Sequence, residues 1–135
     1  MVVIIIIGIL AIVAIINYQT SVEKSRSAEA KTIIGTMRSQ CGAYFSRDGT
    51  TDACTGGNML IGSGQGMVPG PDASQCRQSH FFWYNVSQVS PDRLAIIATR
   101  CVNGAGKSPS GTAPAQNLTL TVNFTSGADD WSGNY

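Results

Sequence analysis

Four cysteines and one histidine are the residues of this chain best suited to chemistry. Closely spaced thiolates and imidazoles bind zinc, and a thiolate beside a histidine can act as a nucleophile. The cysteines are widely spaced without a Cys-x-x-Cys pair, which disfavours zinc and favours two disulfides, for which three pairings are possible. Because bridged cysteines would leave His80 without a nucleophile, we predict no catalytic residue. The cysteines are Cys41, Cys54, Cys76 and Cys101.

Two glycine-rich segments resemble nucleotide-binding loops only in part. The cluster at 62–66 is neither preceded by a predicted strand nor followed by a predicted helix, as a dinucleotide fingerprint requires. Residues 104–108 match the end of a phosphate-binding loop, but Cys101 occupies the position of its first glycine. We therefore predict neither a cofactor nor a metal for this chain.

Size and charge limit the partners that the chain can have. Its 135 residues suffice for one folded domain with a modest core. Nine basic and eight acidic residues leave a net charge of +1, which gives no electrostatic reason to bind nucleic acid. Hydrophobic residues make up 43% of the chain and are concentrated at its beginning, so the rest is a polar domain.

The first sixteen residues, MVVIIIIGILAIVAII, have no charged side chain and none that needs a hydrogen bond. As a helix they would extend about 24 Å, less than the ~30 Å hydrocarbon core of a bilayer. We therefore expect Met1 to be an internal methionine of a longer precursor. A signal peptide is disfavoured because no basic residue precedes the run and Ala11 and Ala14 have the wrong spacing for cleavage. A simple uncleaved anchor is the alternative.

Residues 1–19, which end in Asn-Tyr-Gln, closely resemble the N-terminal helix of type IV pilins and type II secretion pseudopilins. The resemblance rests on a glycine within the apolar run, small alanines after it and the polar Asn-Tyr-Gln segment that follows the run. It implies a non-enzymatic subunit whose helix lies in the inner membrane and then in the core of an extracellular filament. The assembly residues that it implies are Val3, Ile6, Gly8, Leu10, Ala11, Ala14 and Tyr18.

The resemblance also implies the partners of the chain. Identical subunits would form a helical filament on the cell surface. A prepilin peptidase, an assembly ATPase and an inner-membrane platform protein would process and assemble them, and no nucleic acid is implied as a specific partner. Motility, adhesion, DNA uptake and secretion all stay open as uses of such a filament.

Two features depart from the family pattern. Pilins usually have a segment such as Phe-Thr-Leu-Ile-Glu-Leu directly before the position of Met1, and its glutamate is tied to assembly. This sequence contains no such glutamate. Either the segment precedes Met1 in a longer precursor, or the subunit lacks the processing site and the assembly charge, and the short helical span favours the precursor. Pilins also usually have a proline at the position of Ile16, and we predict a more continuous helix without it.

Helix-forming residues without proline continue from Asn17 to about Phe45. An apolar stripe on this half predicts packing on a sheet, whereas charged residues nearer the membrane predict a solvated collar. A turn at 46–49 ends the helix. The stripe comprises Val22, Ile33, Ile34, Met37, Cys41 and Tyr44, and the collar comprises Glu23, Lys24, Arg26, Glu29 and Lys31.

Three strands are predicted after a glycine-rich loop, at 80–86, 93–102 and 117–124. Alternation in the last strand indicates an antiparallel sheet with one face in water. A turn at 87–92 would pair residues of the first two strands whose numbers sum to about 178. That register places Cys76 nearly opposite Cys101, within reach of a disulfide, and leaves Cys41 to pair with Cys54.

The predicted fold is therefore α+β and pilin-like. A long N-terminal helix, at about 1–45, packs on a small antiparallel sheet of at least three strands. Residues 1–20 would be the apolar half of the helix, for membrane and filament core. Residues 21–135 would be the head, with the amphipathic helix half followed, in order, by a loop at 46–80, a sheet at 81–124 and a C-terminal loop.

Two other functions stay open beside a pilus-like filament. A type II secretion pseudopilin would form a periplasmic piston, and a calcium site at 129–134 would favour it, although that segment offers few oxygen ligands. A monomeric membrane-anchored binding domain would use the glycine-rich loops and form no polymer. Electron conduction is disfavoured because Tyr18, Tyr44 and Phe45 are too sparse along the helix.

Overall fold

The computed structural model describes residues 2–62, 64, 66–102 and 116–134. They form a helix followed by an antiparallel sheet with strands in sequential order, so the predicted α+β class is confirmed. A single 3-10 turn precedes the sheet. The elements are helix α1 (Val2–Asp48), the 3-10 turn (Ala73–Gln75), and strands β1 (Phe82–Ser90), β2 (Arg93–Arg100), β3 (Asn117–Asn123) and β4 (Ala128–Gly133).

Helix α1 covers the stretch for which the sequence predicts a helix. Its backbone is helical at position 16, and its side chains are described for 2–15, 17–18 and 21–48. Gly49 follows the helix with a φ of 74°, and its N–H donates to the carbonyl oxygen of Phe45 at 2.8 Å. Glycine adopts this left-handed conformation without the steric penalty of a Cβ, so the helix ends here.

The core lies between the later part of α1 and one face of the sheet. Of the predicted stripe, Ile34, Met37 and Cys41 are buried, whereas the other three side chains are half-buried. Spacings of three and four residues place the buried positions on one helix face. The core residues from β2 and β3 alternate along each strand and are Leu94, Ile96, Ala98, Leu118, Leu120 and Val122.

The register of β1 against β2 differs from the prediction. Phe82 pairs with Arg100, so paired numbers sum to 182 rather than about 178, and the turn predicted at 87–92 is present but shorter than predicted. The strand continues to Ser90, which pairs with Arg93, and the side chain of Gln88 donates to Asp52 at 2.7 Å near this polar end of the strand. Only two residues, 91 and 92, then separate the strands.

The C-terminal segment is a strand, not the loop that the sequence predicts. All six residues of β4 are exposed, and they pair with β3 as the fourth strand of the sheet. An ion pair also holds β4 to α1, since Arg38 Nε lies 2.8 Å from Asp129 Oδ2. Aspartate, serine and glycine are rare in strands, so local propensity gave no signal for this strand.

Both predicted disulfides are present. Cys41 pairs with Cys54 at a Cα–Cα distance of 5.4 Å, and Cys76 pairs with Cys101 at 6.0 Å. The first bridge ties the end of α1 to the loop that follows, and the second ties the segment after the 3-10 turn to the end of β2. The second pairing was predicted from a register that is wrong, and it is present nonetheless, with Cys76 before β1 and outside the strand.

The free edge of β1 is covered by the loop before it. The N–H of Tyr84 donates to the carbonyl oxygen of Pro69 at 2.7 Å, and a Cβ added at Gly70 would overlap the carbonyl oxygen of Tyr84. The loop can therefore approach the strand this closely only with glycine at position 70.

Gly70→Ala is expected to lower the free energy of unfolding by about 1–3 kcal/mol, because the loop must shift away from β1. Gly57→Ala is the matched control, since a Cβ there meets no atom within 4 Å. Chemical denaturation of the detergent-solubilised chain, followed by near-ultraviolet circular dichroism, measures both. Equal midpoints for the two variants would contradict the close approach.

Tyr84 has a buried polar group that the fold does not satisfy. Its side chain is 0% exposed, and its hydroxyl has no hydrogen-bond partner among the described residues. Burial, and secondarily the charge of Glu29, raises the pKa of the phenol far above its ordinary value. The folded state therefore keeps this phenol neutral, whereas the unfolded chain ionises it above a pH of about 10.

Tyr84→Phe is expected to raise the free energy of unfolding by about 1 kcal/mol at neutral pH, because it removes an unsatisfied hydroxyl. Since the folded pKa is raised, this phenol does not change stability with pH below ~10, but at higher pH the unfolded chain ionises it and the fold loses stability. The advantage of the phenylalanine variant should thus widen in alkali. Tyr18→Phe, at a position 71% exposed, is the control. A Tyr84→Phe variant less stable than the parent would contradict this account.

Candidate assembly surface

The N-terminal segment of α1, residues 2–15, exposes all its large apolar side chains. Their exposed fractions lie between 52% and 72%. Most of them are β-branched, and these have a lower helix propensity in water than alanine or leucine. The stability of the helix in this segment therefore depends on the environment that surrounds it. The eleven side chains are Val2, Val3, Ile4, Ile5, Ile6, Ile7, Ile9, Leu10, Ile12, Val13 and Ile15.

The exposed apolar surface continues all round the helix. Residues 2–7 are consecutive and apolar, and successive residues of an α-helix point in directions about 100° apart. A helix that is apolar on every side must be enclosed on every side. A single groove on one partner would cover only part of this surface, so enclosure requires lipid or several neighbouring helices.

All seven assembly residues predicted from the resemblance lie exposed on α1. Four are large: Val3, Ile6, Leu10 and Tyr18. Three are small, Gly8, Ala11 and Ala14, and a Cβ added at Gly8 would meet no atom within 4 Å. No packing within the described chain therefore explains a glycine at this position. Their part in assembly stays a prediction.

The solvated collar predicted on α1 was wrong for three of its five residues. Glu23, Arg26 and Glu29 are half-buried, whereas the two lysines are exposed. Glu29 Oε1 accepts a hydrogen bond from the N–H of Phe81 at 3.1 Å. Arg26 forms an ion pair with Glu23 and lies over the Phe81 ring, with 4.9 Å between its guanidinium carbon and the ring centroid. These contacts bind α1 to the residue just before β1.

Arg100, the last residue of β2, completes this contact from the sheet. Its side chain is 0% exposed, and its Nε lies 3.4 Å from Glu23 Oε2. Its Nη1 donates to the carbonyl oxygen of Phe81 at 3.1 Å, and its guanidinium lies 4.9 Å from the centroid of the Phe81 ring. Burial lowers the pKa of this guanidinium, and the charge of Glu23 opposes that shift.

The Glu23–Arg100 pair fixes α1 to the sheet seven residues beyond the apolar run. Breaking a buried pair leaves an uncompensated charge and is costly, so the pair resists sliding of the helix along the sheet. Sequence reasoning missed Arg100, although a signal was present. Arg100 follows Leu94, Ile96 and Ala98 at the period of two that points a side chain into the core.

The other sequence candidates do not come together at one place. His80 Nδ1 lies 2.7 Å from the hydroxyl of Ser79. Asp129 and Asp130, in the proposed calcium segment, are adjacent in β4 and so face opposite sides of the sheet. Among the described residues, no group of three His, Cys, Asp or Glu side chains is placed to hold a metal. Residues 104–108 lie outside the described residues.

The described parts of the chain thus offer one large unsatisfied surface, the N-terminal segment. No helix within them is both long and apolar enough to cross a membrane. Such a surface can associate, but it has no group that could transfer a proton or act as a nucleophile. Comparison of the chain with protein-family models gave no match, and neither did comparison with curated proteins or with solved structures.

Proposed function

We propose that this chain is a non-enzymatic structural subunit of a type IV pilus-like extracellular filament, and that it polymerises through the N-terminal segment. One observation supports this proposal above all others: eleven large apolar side chains are exposed on every side of one helix. Complete burial of such side chains contributes roughly 1.5–3 kcal/mol each. Enclosing the segment in lipid or in a helix bundle, rather than leaving it in water, therefore contributes on the order of 10 kcal/mol per subunit.

Identical copies of the chain are the partners that best enclose this surface. A bundle of N-terminal segments surrounds each helix with apolar side chains of its own kind. Contacts that are not related by a two-fold axis repeat from copy to copy, and when the rotation does not close they build an open helical filament. A helix that packs on the head through its later part and enters an apolar bundle through its N-terminal segment suits this assembly.

Small residues let neighbouring helices approach closely inside the bundle. Within the described residues no contact explains a glycine at position 8, since added volume there meets no atom within 4 Å. In apolar surroundings, close packing at small residues drives helix association. A helix that only rests in lipid gains nothing from a glycine at this position.

The head suits an extracellular location. Its two disulfides require an oxidising compartment, and its apolar residues are mostly buried against the sheet. We infer that the subunit waits in the inner membrane with its head outside, and then enters a filament on the cell surface. A prepilin peptidase, an assembly ATPase and a platform protein are its proposed partners.

Electron microscopy of material sheared from producing cells tests the proposal, together with mass spectrometry of the subunit N-terminus. Wild-type chain should give thin filaments. Gly8→Leu should lower their amount at least about tenfold, because added volume strains a packed apolar bundle. Gly8→Ala is the matched control and should retain filaments.

The same samples show which proposal is wrong. The amount of chain in the membrane fraction should be equal for all three proteins, because the substitution adds only apolar volume. Membrane-bound chain that never polymerises would refute the filament and favour an anchored binding domain. Filaments of Gly8→Leu as abundant as those of the wild type would place Gly8 outside the helix contacts.

A further inference from the structure

The face of the sheet that points away from α1 has a groove at one end. Its volume is about 360 Å³, and its lining includes Trp83, Thr99, Gln116, Asn117 and Asn134. This volume lies at the lower end of the range for small-ligand sites, ~300–1,000 Å³. The groove is far from the N-terminal segment in the chain and has no part in the proposed polymerisation.

Strand pairing places the lining residues in one row. Trp83 of β1 pairs with Thr99 of β2, and Thr99 pairs with Asn117 of β3. Directly paired residues point to the same face of a sheet. The neighbouring Phe82 is buried against α1, so Trp83 and its row face away from the core.

A hydrogen bond fixes the end of this row. The side-chain oxygen of Asn134 accepts from the N–H of Asn117 at 2.9 Å, and the N–H of Asn134 donates to the carbonyl oxygen of Asn117 at 3.1 Å. The rim of the groove is therefore held by the sheet itself and is formed before any ligand arrives. Preorganisation of this kind lowers the entropic cost of binding.

Among the described residues, the lining has polar groups but no charged group that faces the groove. Arg100 is its one ionisable member, and the guanidinium is held on the core side by Glu23 and the carbonyl oxygen of Phe81. Gln116 contributes a buried side-chain oxygen that has no hydrogen-bond partner among the described residues. A buried acceptor of this kind is costly unless a donor reaches it.

We propose that this groove binds a neutral saccharide, with one pyranose ring against the indole of Trp83. The apolar C–H face of a sugar packs on an aromatic ring, while its hydroxyls exchange hydrogen bonds with amide and hydroxyl groups. Thr99, Gln116 and Asn117 supply such groups. The absence of a facing charge in the described lining favours a neutral sugar over an anionic one.

Ligand-observed saturation-transfer NMR tests this site on the full chain, in a zwitterionic detergent without a sugar headgroup. The probes are lactose and N,N′-diacetylchitobiose, with 3′-sialyllactose as the charged comparison. A saturable signal is expected for at least one neutral probe, with a dissociation constant of ~1 mM or below. The sialylated probe should bind at least about tenfold more weakly than lactose. Its carboxylate would lose hydration on entering the groove, and no cation in the described lining would compensate for that loss.

Variants distinguish the groove from binding elsewhere. Trp83→Ala should weaken binding at least about tenfold, and Trp83→Phe about threefold, because phenylalanine keeps a smaller ring. Gln116→Ala, outside the strands, should weaken binding severalfold with little risk to folding. Trp131→Phe should leave affinity unchanged, and it makes Trp83 the one tryptophan left, so its fluorescence should change with lactose.

Three results would overturn the proposal. The first is no saturable signal from either neutral probe. The second is unchanged affinity in both Trp83→Phe and Gln116→Ala, each shown to be folded by near-ultraviolet circular dichroism. The third is equal or tighter binding of the sialylated probe. None of these depends on whether the chain forms filaments, since binding is measured on the dispersed subunit.

Discussion

Ile6→Asp is expected to abolish filaments and leave the head folded. Ile6 is 52% exposed on the single chain and lies in the middle of the N-terminal segment, so we propose that lipid encloses it before assembly and neighbouring helices enclose it in the filament. An aspartate at the centre of an apolar helix costs about 2.5–3.5 kcal/mol, and every subunit of a filament would bear that cost. Electron microscopy of the sheared fraction gives the amount of filament.

Ser39→Asp is the matched control for this substitution. Ser39 lies on an exposed part of α1 within the head, so the same change of charge is made in water. It should leave filaments largely intact. Denaturation midpoints of the detergent-solubilised subunits should agree between both variants and the wild type. Normal filaments from Ile6→Asp would contradict burial of the N-terminal segment.

Removing the disulfides is expected to have the largest effect on stability. Chain entropy predicts a loss of about 3.5 kcal/mol for the double variant of Cys76 and Cys101 to alanine, whose closing loop is longer. The corresponding loss for Cys41 and Cys54 is about 3 kcal/mol. Cys41 is also buried in the core, so its substitution leaves a small cavity that adds to the loss.

Chemical denaturation with and without a reductant measures these losses. Reductant should lower the stability of the wild type, and should lower that of each double variant less, because one bridge is already gone. A loss below about 1 kcal/mol for both double variants would contradict a head that depends on its bridges, since native disulfides in small secreted domains contribute more.

Local patterns in the sequence predicted much of the fold. The end of α1 is marked by a turn sequence with Gly49, and β3 alternates apolar and polar residues along its length. The missed features depend on distant partners. The end of β1 pairs with β2 and contacts Asp52 through Gln88, and β4 exists because β3 supplies its hydrogen bonds. In both cases the partner residues lie outside the strand itself, so the residues of the strand alone did not predict it.

The candidate sites likewise divide into one that local sequence predicts and two that depend on distant residues. The N-terminal segment is visible in the sequence because composition alone defines it. Alternation along β2 points Arg100 into the core, but its partner Glu23 lies 77 positions away, so no local pattern could reveal the pair. The saccharide groove likewise needs the register of three strands before Trp83 and Asn117 meet on one face. Long-range pairing, not composition, makes both features.

Helical reconstruction of the sheared filaments by electron cryomicroscopy tests the central proposal most directly. We expect the side chains of residues 2–15, now 52–72% exposed for the large apolar ones, to be buried against the same segment of neighbouring copies. Gly8 should lie where two helices approach closely. Filaments whose subunits contact one another only through their heads, with residues 2–15 outside the core, would contradict the proposal, and so would sheared material without any filaments.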